Sequence, residues 1–226
     1  MDFTQLSVIT VLLLGTTALL AKNNNPSHRS DDSKKEIARQ KKPHDPQIDN
    51  LRDPEAKYGK TLLLKQKKTQ FRAHGPVQIN LAEITGSTKL NGPAEISHSI
   101  LNTLEHHGSL NCFDTQIHEA QVTGVLILNR SKIFKTLKLE GTLNASDSII
   151  DQITANSAKV VLTNCIVHNL TIIGDIHYPN HRPILELRGS TTVSGTIKFI
   201  EADGDVQVYG INTSVNKIEN GIISQL

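Results

Sequence analysis

Gly108-Ser109-Leu110-Asn111-Cys112-Phe113-Asp114-Thr115-Gln116-Ile117 is followed 16 residues later by Gly124-Val125-Leu126-Ile127-Leu128-Asn129-Arg130-Ser131-Lys132-Ile133. After a further 17 residues comes Gly141-Thr142-Leu143-Asn144-Ala145-Ser146-Asp147-Ser148-Ile149-Ile150. The three segments agree in character position by position. A glycine leads, leucine stands third, the fifth residue is apolar and modest in size, the eighth is a hydroxyl residue, and the tenth is isoleucine. Self-similarity at a fixed step marks a repeat architecture, and it outweighs any local propensity.

The same step extends outward from these segments. Markers fall at Gly75, Gly92, Gly108, Gly124, Gly141, Ser157 and Gly174, always 16 or 17 residues apart. The tenth column reads Ile84, Leu101, Ile117, Ile133, Ile150, Ile166, and the fifth reads Ile79, Ile96, Cys112, Leu128, Ala145, Val161. The third column holds Val77, Ala94, Leu110, Leu126 and Leu143, and fails only at Lys159 beside Val160. A weaker column near the fifteenth or sixteenth place holds Val122, Leu139, Ala155 and Ile172. Three inward positions per unit describe a coil with three short strand faces. Stacking such coils at the strand separation of ~4.8 Å satisfies the backbone and lines like residues into interior ladders. Marker glycines suit a tight corner, and the small or polar eighth column (Ala82, Ser99, Thr115, Ser131, Ser148, Asn164) suits a second. The expectation is an all-β, three-faced parallel β-helix with coils of 16–17 residues, regular over residues 73–174.

Beyond Gly174 the register breaks at an insertion, Asp175 to Pro183, and residues 175–226 are expected to form irregular coils and a C-terminal cap. Residues 1–21 contain the uncharged apolar run Leu6 to Ala21, which is short for a membrane span and suits an export signal, with a retained inner-membrane anchor as the alternative. Between Lys22 and Arg72, 14 Lys and Arg face 7 Asp and Glu, with four of the eight prolines. That composition predicts a disordered basic linker over residues 22–72, able to contact an anionic membrane or glycan. The whole chain carries a net charge of only +2, which gives no ground for a specific nucleic-acid partner. Its two cysteines exclude a disulfide-dense scaffold. Cys112 and Cys165 fall on different coils, too far apart to bridge, so free buried thiols are expected.

The ladders, together with the Gly92-Pro93 corner and the run Leu187-Arg188-Gly189-Ser190-Thr191-Thr192-Val193-Ser194-Gly195-Thr196-Ile197, resemble the parallel β-helix of the bactofilin-type polymer-forming scaffold proteins. They are also similar to exported β-solenoid proteins of Gram-negative bacteria. The resemblance covers roughly residues 75–210 and implies a scaffold rather than an enzyme.

No nucleophile motif, phosphate loop or dinucleotide fingerprint occurs, and no cofactor is implied. His168, His177 and His181 are weak metal-ligand candidates around the Tyr178-Pro179 turn. His106-His107 reads as an exposed corner. Asp114, Arg130 and Asp147 share the seventh column, and make the candidate face for a glycan or a partner. The expected function is therefore a non-enzymatic structural or interaction protein of the periplasm, cell envelope or exterior. It would self-associate or hold a protein partner through its coil ends or strand faces. The alternatives are a carbohydrate-binding or polysaccharide-cleaving β-helix and a membrane-anchored, bactofilin-like cytoskeletal scaffold.

Overall fold

A computed structural model describes residues 55–226 apart from 157–158 and 175–181. The expected export segment 1–21, the first part of the basic linker, and His177 and His181 lie outside the described residues. In chain order the strands are β1 (Lys57–Tyr58), β2 (Thr61–Leu64), β3 (Lys67–Lys68), β4 (Phe71–His74), β5 (Val77–Asn80), β6 (Glu83–Asn91), β7 (Ala94–Ser97), β8 (Ile100–Phe113) and β9 (Gln116–Asn129). They continue with β10 (Lys132–Ser146), β11 (Ile149–Asn156), β12 (Lys159–Thr163), β13 (Ile166–Ile173), β14 (Ile184–Arg188), β15 (Thr192–Ile200), β16 (Gly204–Tyr209), β17 (Ser214–Glu219) and β18 (Gly221–Gln225). Every pairing is parallel and joins one turn to the next, giving a β-solenoid of about nine turns.

Each turn has three strand segments. Around β9, for example, Gln116–Ile117 pair with Lys132–Ile133, Ala120–Thr123 with Leu137–Glu140, and Leu126–Asn129 with Leu143–Ser146. Alternation decides what faces in. The columns Val77, Ala94, Leu110, Leu126, Leu143 and Ile79, Ile96, Cys112, Leu128, Ala145 are buried, as is the column Ile84, Leu101, Ile117, Ile133, Ile150.

The three corners have different physical causes. Gly75, Gly92, Gly108, Gly124 and Gly141 stack with φ between 107° and 138°, and each approaches the carbonyl of the glycine before it. The second corner uses residues in the left-handed region: Leu81, His98, Asp114, Arg130, Asp147 and Asn164, with φ of 48° to 54°. Immediately after it comes a ladder of buried hydroxyls. Ser131 Oγ donates to the Asn129 carbonyl (3.0 Å) and accepts from the Thr115 amide of the preceding coil (3.2 Å). Ser148 repeats this with Ser146 and the Ser131 amide. The corner amides of Ala82, Thr115, Ser131 and Cys165, which no strand pairing satisfies, are thus paired by a side chain of the next coil. The third corner is a register irregularity, seen between Ile84 and Ser87 and between Ile133 and Thr136.

Three expectations need correction. Coils begin inside the stretch assigned to the basic linker: β2 and β4 pair with β5 and β6, and Leu63, Phe71 and Ala73 are buried. Lysines and Arg72 dominate that composition from outward positions, leaving the inner column intact. At the sixth unit the register is one residue later than the marker Ser157 implies. Leu143 pairs with Val160, Ala145 with Leu162 and Ile150 with Val167. Val160, Leu162, Cys165 and Val167 face in, and Ile166 is 52% exposed. The doublets Val160-Val161 and Ile166-Val167 put β-branched residues on both phases, so the pattern itself could not reject the slip. Past the insertion the expected irregular coils are present: β14 to β18 continue the solenoid until Val208 pairs with Gln225. Finally, His106 is not an exposed corner but is fully buried.

Candidate interaction surfaces

Asp114, Arg130 and Asp147 do stack along one edge of the solenoid. The left-handed corner accounts for them, because aspartate and asparagine tolerate that region better than most residues. Their side chains engage their neighbours. His98 Nε2 lies 3.8 Å from Asp114 Oδ2, and the Arg130 guanidinium sits 4.2 Å from the centroid of the Phe113 ring. Asn164 Nδ2 donates to Asp147 Oδ1 at 3.3 Å, and Asn164 Oδ1 accepts the Ser190 amide at 3.0 Å. The result is an exposed ladder of alternating groups that staples successive corners.

His168 is exposed, with Nδ1 at 3.0 Å from Ser194 Oγ. Among the described residues no group of three His, Cys, Asp or Glu side chains could hold a metal ion. Cys112 and Cys165 are free and buried, and burial pushes the Cys112 thiol up to about 12. With the corrected register Cys165 joins the hydroxyl ladder. Its Sγ donates to the Thr163 carbonyl (3.3 Å), and its amide donates to Thr191 Oγ1 (3.3 Å).

Two apolar surfaces were not legible in the sequence columns, since they lie on outward positions. The two-residue face exposes Ile100, Ile149 and Ile166, with Phe134 at its edge. A groove of about 400 Å³ there is lined by Ile100, Gln116, His118 and Phe134. The second surface is the last coil. Val215 and Ile218 continue the inner columns of Val193 and Ile197 but are only partly buried, and Ile223, which continues Val206, is 55% exposed. At the other end Phe71 and Thr61, which occupy the columns of Ile218 and Ile223, are buried. The outer edge of β18 carries no charged residue and no proline, the usual devices that discourage strand addition.

Comparison of the chain with protein-family models, with curated proteins and with solved structures finds no match in any of the three.

Proposed function

We propose that this protein is a non-enzymatic structural scaffold that associates through the open coil formed by β17 and β18. The observation that carries the reading is the incomplete burial of the inner-column residues Val215 and Ile218 on β17, which also carries Lys217 and Glu219, together with the exposure of Ile223 on the uncharged strand β18. A further rung laid on that coil would cover the column and pair the edge, the two interactions that already join every other coil. In this reading the rung comes from another molecule. The reading makes the chain a counterpart of the bactofilin-type polymer-forming scaffolds. The apolar run Leu6 to Ala21 supports placing it in the envelope or outside the cell, with the basic arm as its tether.

Sedimentation and light scattering of the full chain, followed by negative-stain imaging, test this reading. Concentration-dependent assembly that is lost in Ile223→Glu supports it, provided the circular dichroism of the variant is unchanged. A wild-type monomer at all concentrations, or assembly indifferent to Ile223→Glu, overturns it.

A further inference from the structure

We infer that the solenoid has an acid-sensitive point in its middle, where protonation of His106 opens the coils that β8 forms with β6 and β9. The inner column concerned runs Ala73, Leu90, His106, Val122, Leu139, Ala155, Ile172, Phe199 through consecutive pairings. Seven of these eight side chains are apolar, and His106 replaces what its neighbours Leu90 and Val122 show to be a leucine- or valine-sized site. Its exposure is 0%, and neither Nδ1 nor Nε2 makes a well-formed hydrogen bond, although the backbone of Ser109 and Gly108 lies near enough to act on the ring. A buried polar group without a well-formed partner is destabilising. A costly group where the ladder does not require one marks a place where folding economy has yielded to something else.

The surroundings leave an imidazolium no counter-charge. On its own strand, Glu105 and His107 point outward, and Glu105 is paired with Lys89. From β6, Lys89 and Asn91 flank Leu90 on the outer side, and from β9, Gln121 and Thr123 flank Val122. The inward residues of β7, β8 and β9 near this level are Ala94, Ile96, Leu101, Leu104, Leu110, Cys112, Ile117 and Ala120, of which only the neutral Cys112 thiol can titrate. Burial holds the ring below the ordinary histidine value, with a smaller push from His107, and backbone groups of Ser109 and Gly108 partly offset it.

The sign follows from linkage. The folded ring binds its proton less readily than the unfolded one, whose ordinary value is 6.5. Stability is therefore constant well above that value, falls as pH drops through it, and levels off below the folded value. Each unit by which the folded value is depressed multiplies the opening constant by about ten.

Hydrogen exchange of the full chain, corrected for intrinsic rates, is measured between about pH 8 and about pH 5, the range in which an ordinary histidine changes charge. Amides of β8 and its partners should lose protection on acidification, with β13 to β16 less affected. His106→Leu should abolish that loss, whereas His107→Leu should leave it in place. The wild-type ring is followed directly by its Cε1 proton resonance, so the inference survives no misfolded variant. Parallel loss of protection in wild type and His106→Leu, or a His106 resonance titrating at or above the ordinary value, overturns it.

Discussion

The glycine corner makes a prediction with an internal control. At Gly141 an added Cβ would lie 2.0 Å from the Gly124 carbonyl oxygen, whereas at Gly75 it would lie 3.1 Å from the Gly59 oxygen. Both residues have φ in the region that favours glycine, 138° and 107°. Each alanine substitution therefore incurs the conformational cost, of order 1–3 kcal/mol, less about 0.4–1 kcal/mol recovered from the stiffer unfolded chain. Gly141→Ala must in addition separate two coils by about 1 Å, weakening the backbone hydrogen bonds on both sides of the corner. Two such bonds at about 1 kcal/mol each bring the expected loss to roughly 3–4 kcal/mol, against roughly 1–2 for Gly75→Ala. Equilibrium guanidinium unfolding followed by circular dichroism measures both, provided the denaturant slopes agree with wild type. Equal losses at the two sites would refute the claim that coil-to-coil contact, rather than backbone preference alone, requires these glycines.

Removing one hydroxyl from the corner ladder, Ser131→Ala, orphans the Thr115 amide and should lower the unfolding free energy by about 1–3 kcal/mol, while Cys165→Ser should be nearly neutral because the serine restores the ladder's own donor. With its thiol pushed up to about 12, Cys112 should resist alkylation in the folded protein and react only after denaturant is added, as mass spectrometry of the modified chain would show. Glu186 is held below the ordinary carboxyl value mainly by Lys159 and then by Arg188. Its contribution, about 1 kcal/mol because both cations are half exposed, is present above that ordinary value of 4.5 and lost as pH falls through the folded value. Melting temperatures of wild type and Glu186→Gln should therefore converge in strong acid.

What was legible in the chain was the inner face. Columns of isoleucine and leucine repeat because every coil must fill the same cross-section, and this survives reading in one dimension. Of the first coils only a possible strand at Thr61-Leu62-Leu63-Leu64 was legible, because composition averages over alternation: Lys65, Lys67, Lys68 and Arg72 obscured Phe71 and Ala73. Asp114, Arg130 and Asp147 drew attention as chemistry, whereas a left-handed φ, which no residue list displays, explains their place. His106 was lost for the opposite reason, since one imidazole among apolar neighbours leaves the periodicity undisturbed.

The hydroxyl ladder has a direction. The Ala82 amide waits for Ser99, the Thr115 amide for Ser131, the Ser131 amide for Ser148 and the Cys165 amide for Thr191, always a group later in the chain. A polypeptide leaving the ribosome therefore presents a newest coil whose corner stays unsealed until its successor emerges. If coils fold in the order they are made, these four corners would be sealed one coil behind the growing end.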